Sequence, residues 1–319
     1  MRGSLALLTT AATVAALCAA AHPALAAPRA PAAGGAAQTP VQLAAQARVI
    51  HPQDDYAGAQ IARYEGPRKA ANGARSQSGR VSPQDTQAAQ DTPGTPADPP
   101  MGPAGHAVPP PGQLAGLDVS SHQPNVTWPG VVSGGARFVY AKATEGVNYL
   151  NPAFAGQYGG AYSAGLIRGA YHFATPNTSD PVAQADYFLA HGGAWSNDGH
   201  TLPPAVDLEY NPYGDACYGM TPQALSGWIH GFADRIHQRT GRFPMIYTSV
   251  TWWTRCTGND AGFGSSCPLW IARYAPAIGP LPAGWPTQAI WQYADSGPLP
   301  GDQDSFAGSV AQLRQLAVG

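Results

Sequence analysis

Two acidic residues, Asp207 and Glu209, stand two positions apart at the end of the apolar run formed by residues 203–210. Side chains alternate between the two faces of a β-strand, so a strand here would place both carboxyls on one face, with Cα atoms roughly 6.5 to 7 Å apart. Two carboxyls at this separation can act together on one glycosidic bond. A pair of acids in a strand also occurs on solvated faces and in salt bridges, so the surrounding sequence has to support the chemical interpretation.

Eight apolar, β-rich runs could position such a pair. They are residues 117–120, 138–144, 168–174, 205–210, 245–249, 269–274, 289–294 and, more weakly, 303–306. Between the early runs, Asn151-Pro152, Asp180-Pro181 and Thr221-Pro222 each place a capping side chain before a proline, which is typical of a helix start. The longest predicted helix has an apolar stripe and stops near Gly241. Alternating strands and helices predict parallel pairing.

The later connections differ, because residues 275–286 and 297–301 contain too much Pro and Gly for a helix. We therefore expect an α/β barrel of eight strands whose last three lack covering helices. Functional groups in such barrels gather at the C-terminal ends of the strands. The side chains predicted there are Asp118, Ser120, Ser121, His122, Lys142, Glu145, Tyr171, His172, Phe173, Asp207, Glu209, Tyr247, Trp270, Arg273, Trp291, Gln292, Tyr293, Asp302 and Asp304. A mouth of acids and aromatic rings suits a neutral, polyhydroxylated substrate.

Six sequence blocks strengthen this interpretation. They are LDVSS at 117–121 followed by Gln123, YAKATEG at 140–146, RGAYHF at 168–173, DLE at 207–209, IYT at 246–248 and WQY at 291–293. In order and spacing they resemble the glycoside hydrolase family 25 lysozymes over essentially all of residues 114–319. The resemblance implies a modified TIM-type barrel, (β/α)5(β)3. It also implies N-acetylmuramidase activity on the β-1,4 bond between N-acetylmuramic acid and N-acetylglucosamine in bacterial peptidoglycan, with no cofactor or metal.

The resemblance also implies roles for individual residues. Glu209 matches the general acid/base, and Asp207 matches the carboxylate that stabilises the transition state by orienting the substrate's 2-acetamido group. Asp118 and Asp302 match acids that line the site, although Asp304 stands two residues after Asp302 where the family pattern usually has Asn. More loosely matched substrate-contacting positions are Tyr171, Tyr247, Trp270 and Gln292, and Lys142 and Glu145 join them as candidates.

The proton chemistry follows from the residues themselves. A glycosidic oxygen is a poor leaving group, so a carboxylic acid must keep its proton near neutral pH. Crowding Asp118, Asp207, Glu209 and Asp302 around one mouth raises at least one carboxyl pKa, and we expect Glu209 to hold that proton. Whether the anomeric configuration is retained, through the substrate's own acetamido group, or inverted by direct attack of water stays open.

Other interpretations compete for several residues. His172 lies in an apolar strand and is interpreted as a hydrogen-bonded wall residue, and Lys142 with Glu145 is consistent with an ion pair that positions a loop. The pair Trp252 and Trp253 is expected to pack outside the barrel, with a sugar platform as the alternative. A metal-dependent polysaccharide deacetylase would also use Asp and His at a barrel mouth, but no close His pair stands near these acids. A non-catalytic wall-binding module is the third possibility, disfavoured because the acids are retained.

Three cysteines follow the export signal described below: Cys217, Cys256 and Cys267. A Cys217–Cys256 bridge would tie two mouth loops together, as the resemblance also suggests, and would leave Cys267 free. A Cys256–Cys267 bridge is the competing possibility. Cysteine usage of this kind fits an oxidising compartment.

The N-terminus is typical of a secretory signal. Arg2 precedes an apolar run over residues 5–21, and Ala24-Leu25-Ala26 forms a cleavage site, which predicts a secreted, extracellular protein without a membrane anchor. Residues 27–113 are rich in Ala, Pro, Gln and Gly and are expected to be disordered. Within them, residues 50–65 include Tyr56, Ile61 and Tyr64 and are compatible with a short helix. The sequence leaves open whether this piece folds, binds a cell wall or is removed.

The charge balance limits the partners. The 319 residues carry a formal net charge of -2, and only 11% are charged, so no basic surface is available to hold nucleic acid or an anionic membrane. The expected partner is the glycan strand of peptidoglycan, and the expected state is a monomer.

Overall fold

The computed structural model describes residues 56–65 and 108–319. These residues belong to one compact unit, Val49–Gly319. The predicted signal peptide, residues 1–26, lies outside the described residues, as does most of the 27–113 region that was expected to be disordered. Among the described helices, none is both long enough and apolar enough to cross a membrane.

In the described part of the chain, nine strands form one closed sheet. They are β1 Leu114–Val119, β2 Ala136–Glu145, β3 Tyr149–Leu150, β4 Ile167–Phe173, β5 Ala205–Asp207, β6 Met245–Thr248, β7 Leu269–Ala272, β8 Ile290–Ala294 and β9 Asp302–Phe306. The order is β1-β9-β8-β7-β6-β5-β4-β2-β3, and pairing of β1 with β2 closes the barrel. The short β3 is a hairpin extension of β2, so the barrel itself has the eight strands that the apolar runs predict.

Seven helices are described. They are α1 Ala59–Glu65, α2 Trp128–Ser133, α3 Phe154–Ser163, α4 Pro181–Ala190, α5 Pro222–Thr240, α6 Val250–Thr257 and α7 Val310–Val318. The connections between β7 and β8 and between β8 and β9 contain no helix, as their Pro and Gly content predicted. The (β/α)5(β)3 arrangement is therefore confirmed, with α2 to α6 following the first five barrel strands.

Two of the three predicted helix caps are correct. The Asp180 side chain accepts hydrogen bonds from the Val182 and Ala183 amides, and Thr221 accepts one from Ala224. The prediction for Asn151 was wrong, because α3 begins three residues later. Its side chain instead accepts from the Ala153 amide and donates to the Lys142 carbonyl and to Gln157, so it tethers the loop after β2.

Two strand predictions need correction. The strand carrying the acidic pair ends at Asp207, so Glu209 lies in the loop that follows β5 and its direction is not set by strand alternation. The last strand, β9, runs antiparallel to both β1 and β8. Its first residues, and not its last, therefore lie at the mouth, and this is how Asp302 comes to pair directly with Asp118.

The opposite end of the barrel is covered by α7. Leu313 and Ala317 of this helix are fully buried. The Trp195 indole donates to the Ala317 carbonyl, and the Arg242 guanidinium donates to the Leu316 carbonyl. Both donors precede barrel strands, which places α7 at the N-terminal ends of the strands, away from the mouth.

The expectation of disorder over residues 27–113 does not hold for residues 56–65. These residues end in helix α1 and pack on the barrel, with Ala57 and Ile61 fully buried in its hydrophobic core. We refer to residues 56–65 as the 56–65 segment.

Candidate functional site

Asp207 and Glu209 are both completely buried at the mouth end of β5. Burial raises the pKa of Glu209 to about 8. Hydrogen bonds from three backbone amides favour the charged form and lower this pKa, but burial has the larger effect. Burial, followed by the neighbouring Glu209 charge, raises the pKa of Asp207 well above its usual range. Among the described residues, neither carboxyl oxygen of Asp207 has a hydrogen-bond partner. The site therefore holds two interacting acids whose surroundings disfavour ionising both.

A second cluster of acidic residues lies across the barrel from this pair. It consists of Asp118 on β1 and of Asp302 and Asp304 on β9. The Gln292 amide donates to Asp118 at 2.8 Å and to Asp302 at 3.2 Å, so one side chain bridges two of them. Burial raises the pKa of Asp118 to about 7 and the pKa values of Asp302 and Asp304 well above the usual range. This cluster is thus largely neutral at the pH at which free carboxyls would be charged.

Aromatic side chains fill the interior of the barrel below the acids. Trp270 is fully buried, stacks on Tyr140 with ring centroids 4.8 Å apart, and donates its indole N–H to Asp304 at 2.8 Å. Tyr171 and Tyr247 meet the same indole edge-on. The Tyr247 hydroxyl donates to Gln292 at 2.7 Å. These rings form a rigid layer on which Gln292 and the carboxyls of β9 are held.

A β-bulge near Ala143 explains the position of Glu145. Lys142 and Glu145 are three residues apart, which in a regular strand would put them on opposite faces. The register of β2 against β4 shifts between Lys142 and Thr144, and this extra residue returns Glu145 to the face of Lys142. Their side chains form a fully buried ion pair at 2.7 Å, and the Tyr213 hydroxyl donates to Glu145. The ion-pair interpretation is confirmed.

His172 does not reach the site. Its ring bonds to Thr144 at 2.8 Å and to Gln184 at 3.0 Å, between the sheet and the outer helices, where Phe232 stacks on it. Burial lowers the pKa of His172 to about 4, so the ring is neutral. The wall-residue interpretation is confirmed. His122 is exposed in the loop after β1, and in the described ranges no group of three His, Cys, Asp or Glu side chains has the arrangement of a metal site.

The tryptophan pair of α6 is part of the core. Trp252 and Trp253 are both fully buried, and their indoles donate to the carbonyls of Ala216 and Asp260. With no exposed face, they cannot serve as a sugar platform. The structure contains the Cys217–Cys256 disulfide, and Cys267 is a buried free thiol, so the alternative Cys256–Cys267 pairing was wrong. The bridge joins the loop after β5 to α6.

The sequence interpretation missed two contributors to the mouth. Tyr274, just after β7, donates its hydroxyl to Gln292 at 2.7 Å. The second contributor is the 56–65 segment, which lies over Glu209 and contacts Tyr171, Gln292 and Tyr274 as well. The available signal was the cluster of Tyr56, Ile61 and Tyr64 in a region with few other large apolar residues.

Comparison with known proteins places this mouth in context. The family model described as glycosyl hydrolases family 25 matches residues 117–302. An N,O-diacetylmuramidase from Chalaropsis sp is 50% identical over 210 residues, which are 65% of this chain and all of that protein.

Solved structures agree with this match. A family GH25 lysozyme from Aspergillus fumigatus is 47% identical, with a TM-score of 0.64 over 65% of this chain and all of that one. A bacterial lysozyme from Streptomyces coelicolor is 43% identical, with a TM-score of 0.64 over 66% of this chain and 99% of that one. The chain therefore belongs to glycosyl hydrolases family 25, and it is a glycoside hydrolase of the lysozyme type.

Proposed function

We propose that this protein is an N-acetylmuramidase that hydrolyses the β-1,4 bond between N-acetylmuramic acid and N-acetylglucosamine in bacterial peptidoglycan. The observation that carries the proposal is the buried, interacting pair Asp207 and Glu209 at the mouth of a family 25 barrel. A family alone would leave the reacting groups unassigned, whereas this pair supplies the proton donor and the supporting carboxyl that the reaction needs.

Glu209 acts as the general acid/base. Burial beneath residues 56–65 raises its pKa to about 8, and a raised pKa keeps the proton that the departing sugar oxygen requires. Its position in the loop beyond β5 places it further toward the mouth than Asp207, which is still part of the strand.

Asp207 stabilises the transition state. Its carboxyl has no hydrogen-bond donor among the described residues, so it can accept the N–H of the substrate's 2-acetamido group without giving up an existing bond. An acetamido group held in this way can attack the anomeric carbon with its carbonyl oxygen, and the configuration is then retained. Direct attack by water would invert it. Proton NMR of the first product anomer distinguishes the two, and an inverted product rules out the assisted route.

The remaining site residues support these two. Asp118 and Asp302, bridged by Gln292, accept hydrogen bonds from sugar hydroxyls, and Tyr171 and Tyr247 contribute hydroxyls at the same level. Trp270 makes its contacts within the barrel interior, so its role is to hold Asp304 and the tyrosine layer beneath the sugar. Lys142 and Glu145 set the shape of the loop after β2 through their buried ion pair.

Digestion of purified cell walls tests the proposal. The barrel alone, residues 114–319, is a suitable enzyme. Relatives are covered over their whole length by 65% of this chain, so they have no counterpart of the remaining residues. The new reducing end should be N-acetylmuramic acid. N-acetylglucosamine at that end would mean that a different bond is cut. A chelator should leave the rate unchanged, and a loss of activity would favour the deacetylase interpretation with its metal.

The protein is also proposed to be exported and to act as a monomer on the wall. The N-terminal signal and the Cys217–Cys256 disulfide both fit an oxidising, extracellular environment. N-terminal sequencing of the protein recovered from culture medium should begin at Ala27 if cleavage follows Ala26. An unprocessed protein retained in the cell would contradict export.

A further inference from the structure

The 56–65 segment occupies the position in which a substrate would meet Glu209. The Gly58 amide donates to Oε1 of Glu209 at 2.8 Å, and the amides of Gln60 and Ile61 both donate to Oε2 at 2.9 Å. Both oxygens of the proposed general acid are therefore engaged by the protein's own backbone. Glu209 is also completely buried, so a glycosidic oxygen cannot come within hydrogen-bond distance of it while the segment is in place.

The segment also uses the groups proposed to hold the sugar. The Tyr171 hydroxyl accepts from the Ala57 amide at 3.3 Å, and Gln292 donates to the Ala57 carbonyl at 3.2 Å. The Tyr274 hydroxyl lies 3.4 Å from the Gly58 carbonyl. These are the kinds of contact that hydroxyl and acetamido groups of a sugar would make, so segment and substrate compete for the same donors and acceptors.

Side-chain contacts fix the segment at both ends. Tyr56 meets His122 edge-on with ring centroids 5.0 Å apart, and Tyr64 stacks on Tyr210 at 4.3 Å. Glu65 accepts a hydrogen bond from Ser249, and Ile61 is fully buried between these anchors. The segment thus spans the mouth from the loop after β1 to the start of α6.

Gly58 is the residue that permits this close approach. Its φ of +93° lies in the region that favours glycine. A Cβ at this position would lie 2.1 Å from the Tyr274 hydroxyl and 2.6 Å from Oε1 of Gln292. Both neighbours are fixed by their mutual hydrogen bond, so any side chain here would displace the segment.

We propose that the 56–65 segment is an intramolecular inhibitor that closes the glycosidase site of its own chain, so that the full-length protein is latent until the segment leaves. This inference rests on the proposed muramidase function, because it assigns the regulation of that same site. Relatives match 65% of this chain over their whole length, and the family model matches residues 117–302. Residues 56–65 therefore lie outside the part that defines the family barrel. Binding within one chain needs no second molecule and persists at any dilution.

The test compares three forms of the mature full chain: wild type, Gly58→Ala and Gly112→Ala. Gly112 is the matched control, because its φ of +79° imposes the same backbone strain on alanine but no atom lies within 4 Å of the added Cβ. Two readouts are used, namely the rate of lysis of purified cell walls and the rate at which trypsin cuts after Arg63. Arg63 is exposed but lies within α1, so cleavage there reports release and unfolding of the segment independently of activity.

We expect Gly58→Ala to lyse walls at least about tenfold faster than wild type, since a Cβ that displaces the segment removes its three hydrogen bonds to Glu209 and opens the site. It should also be cut faster after Arg63, while Gly112→Ala matches wild type in both readouts. The inference would be overturned if wild type and Gly58→Ala lyse walls at equal rates while trypsin cuts after Arg63 only in Gly58→Ala. The segment would then be bound to the barrel in wild type without inhibiting it.

Failure of the muramidase proposal has a different signature. In that case the barrel alone, residues 114–319, would also fail to lyse walls. Binding of an N-acetylglucosamine tetramer, followed by calorimetry, then decides the inference without catalysis. Binding by Gly58→Ala but not by wild type supports closure by the segment, and equal binding by both forms refutes it.

Discussion

The five carboxyls of the mouth differ in what surrounds them, and this decides what each can do. Glu209 is held by three amides, Asp207 has no hydrogen-bond donor among the described residues, and Asp118 is held by Gln292. Asp304 receives the Trp270 indole on Oδ1, while its Oδ2 is buried and has no hydrogen-bond partner among the described residues. An Asn at position 304, which the family resemblance leads one to expect, would keep an acceptor for the indole and carry no charge. Burial raises the pKa of Asp304 and so favours the neutral form, which matches Asn in charge.

The first prediction concerns Glu209→Gln in the barrel alone. General acid catalysis contributes about 10²- to 10⁴-fold, and we expect a loss of kcat in this range. In the unchanged enzyme, activity should fall as the pH rises through the pKa of the acid, because the proton to be donated is then lost. This basic limb should be missing from the residual activity of the variant. Steady-state rates across pH 4 to 10 measure both effects.

Asp234→Asn is a suitable control for the removal of one acid, since Asp234 lies exposed on α5. It should retain the rate and both limbs of the pH profile. Full activity in Glu209→Gln would end the assignment of this residue as the general acid.

The second prediction concerns Asp304→Asn. The raised pKa means that the folded protein binds a proton that the unfolded chain has already lost above about pH 4. This contribution to the free energy of unfolding is complete at low pH and decreases as the pH rises toward the folded-state pKa. Relative to Asp304→Asn, the wild-type protein should therefore lose about 1.4 kcal/mol for each pH unit in that window.

Urea unfolding of both proteins at several pH values between 4 and 8 measures this difference. Parallel pH dependences would show that Asp304 is ionised in the folded protein.

At the scale of elements, the strands and their order along the chain could be predicted, because eight apolar runs and their helix signals are local properties of the sequence. The end of a strand or its direction could not be predicted where it depends on pairing with strands distant in sequence. The end of β5 at Asp207 is set by its three-residue pairing with β4 and β6, and the reversed direction of β9 is set by pairing with β1 and β8. The acids of the site could be named in advance by family resemblance, whereas the bulge near Ala143 that orients Glu145 left no signal in composition or periodicity.

The third prediction concerns the disulfide between the loop after β5 and α6. The bridge closes 39 residues of sequence, for which the chain-entropy model gives about 4 kcal/mol of stabilisation. The double variant Cys217→Ala/Cys256→Ala should lose up to this amount of unfolding free energy in urea titrations. Cys267→Ala keeps the bridge and controls for loss of a buried thiol, and it should lose less. An equal loss in both variants would mean that the bridge contributes nothing beyond side-chain packing.

At the scale of the whole molecule, the two ends of the barrel have separate tasks. The mouth gathers polar and charged groups from β1, β2, β4, β5, β8 and β9. Helix α7 covers the opposite end with buried apolar side chains and with two carbonyls that accept hydrogen bonds from Trp195 and Arg242. Stability and activity should therefore be separable by substitutions at the two ends. The cluster of Tyr56, Ile61 and Tyr64 indicated that residues 56–65 could fold, but not that they would contact Glu209, because backbone amides make that contact and leave no pattern of residue types.

The fourth prediction tests this separation with two leucines of α7. Leu313 is fully buried and Leu316 is half-buried on the same helix. Leu313→Ala should lower the unfolding free energy by about 3 kcal/mol, within the range for large-to-small core changes. Leu316→Ala should lose clearly less. The wall-lysis rate per folded molecule of the barrel should be unchanged in both, and a reduced rate in folded Leu313→Ala would show that the two ends are coupled.

The backbone origin of the contacts to Glu209 has an evolutionary consequence. Any residue except proline supplies an amide donor, so the side chains of Ala59, Ala62 and Arg63 are not needed to hold the acid. Selection would act on a few positions: a residue without a side chain at 58, an apolar one at 61, and the side chains at 56, 64 and 65 that anchor the two ends. A comparison of sequences that searched only for overall similarity in this region would overlook such a sparse signature, even where the same device is shared.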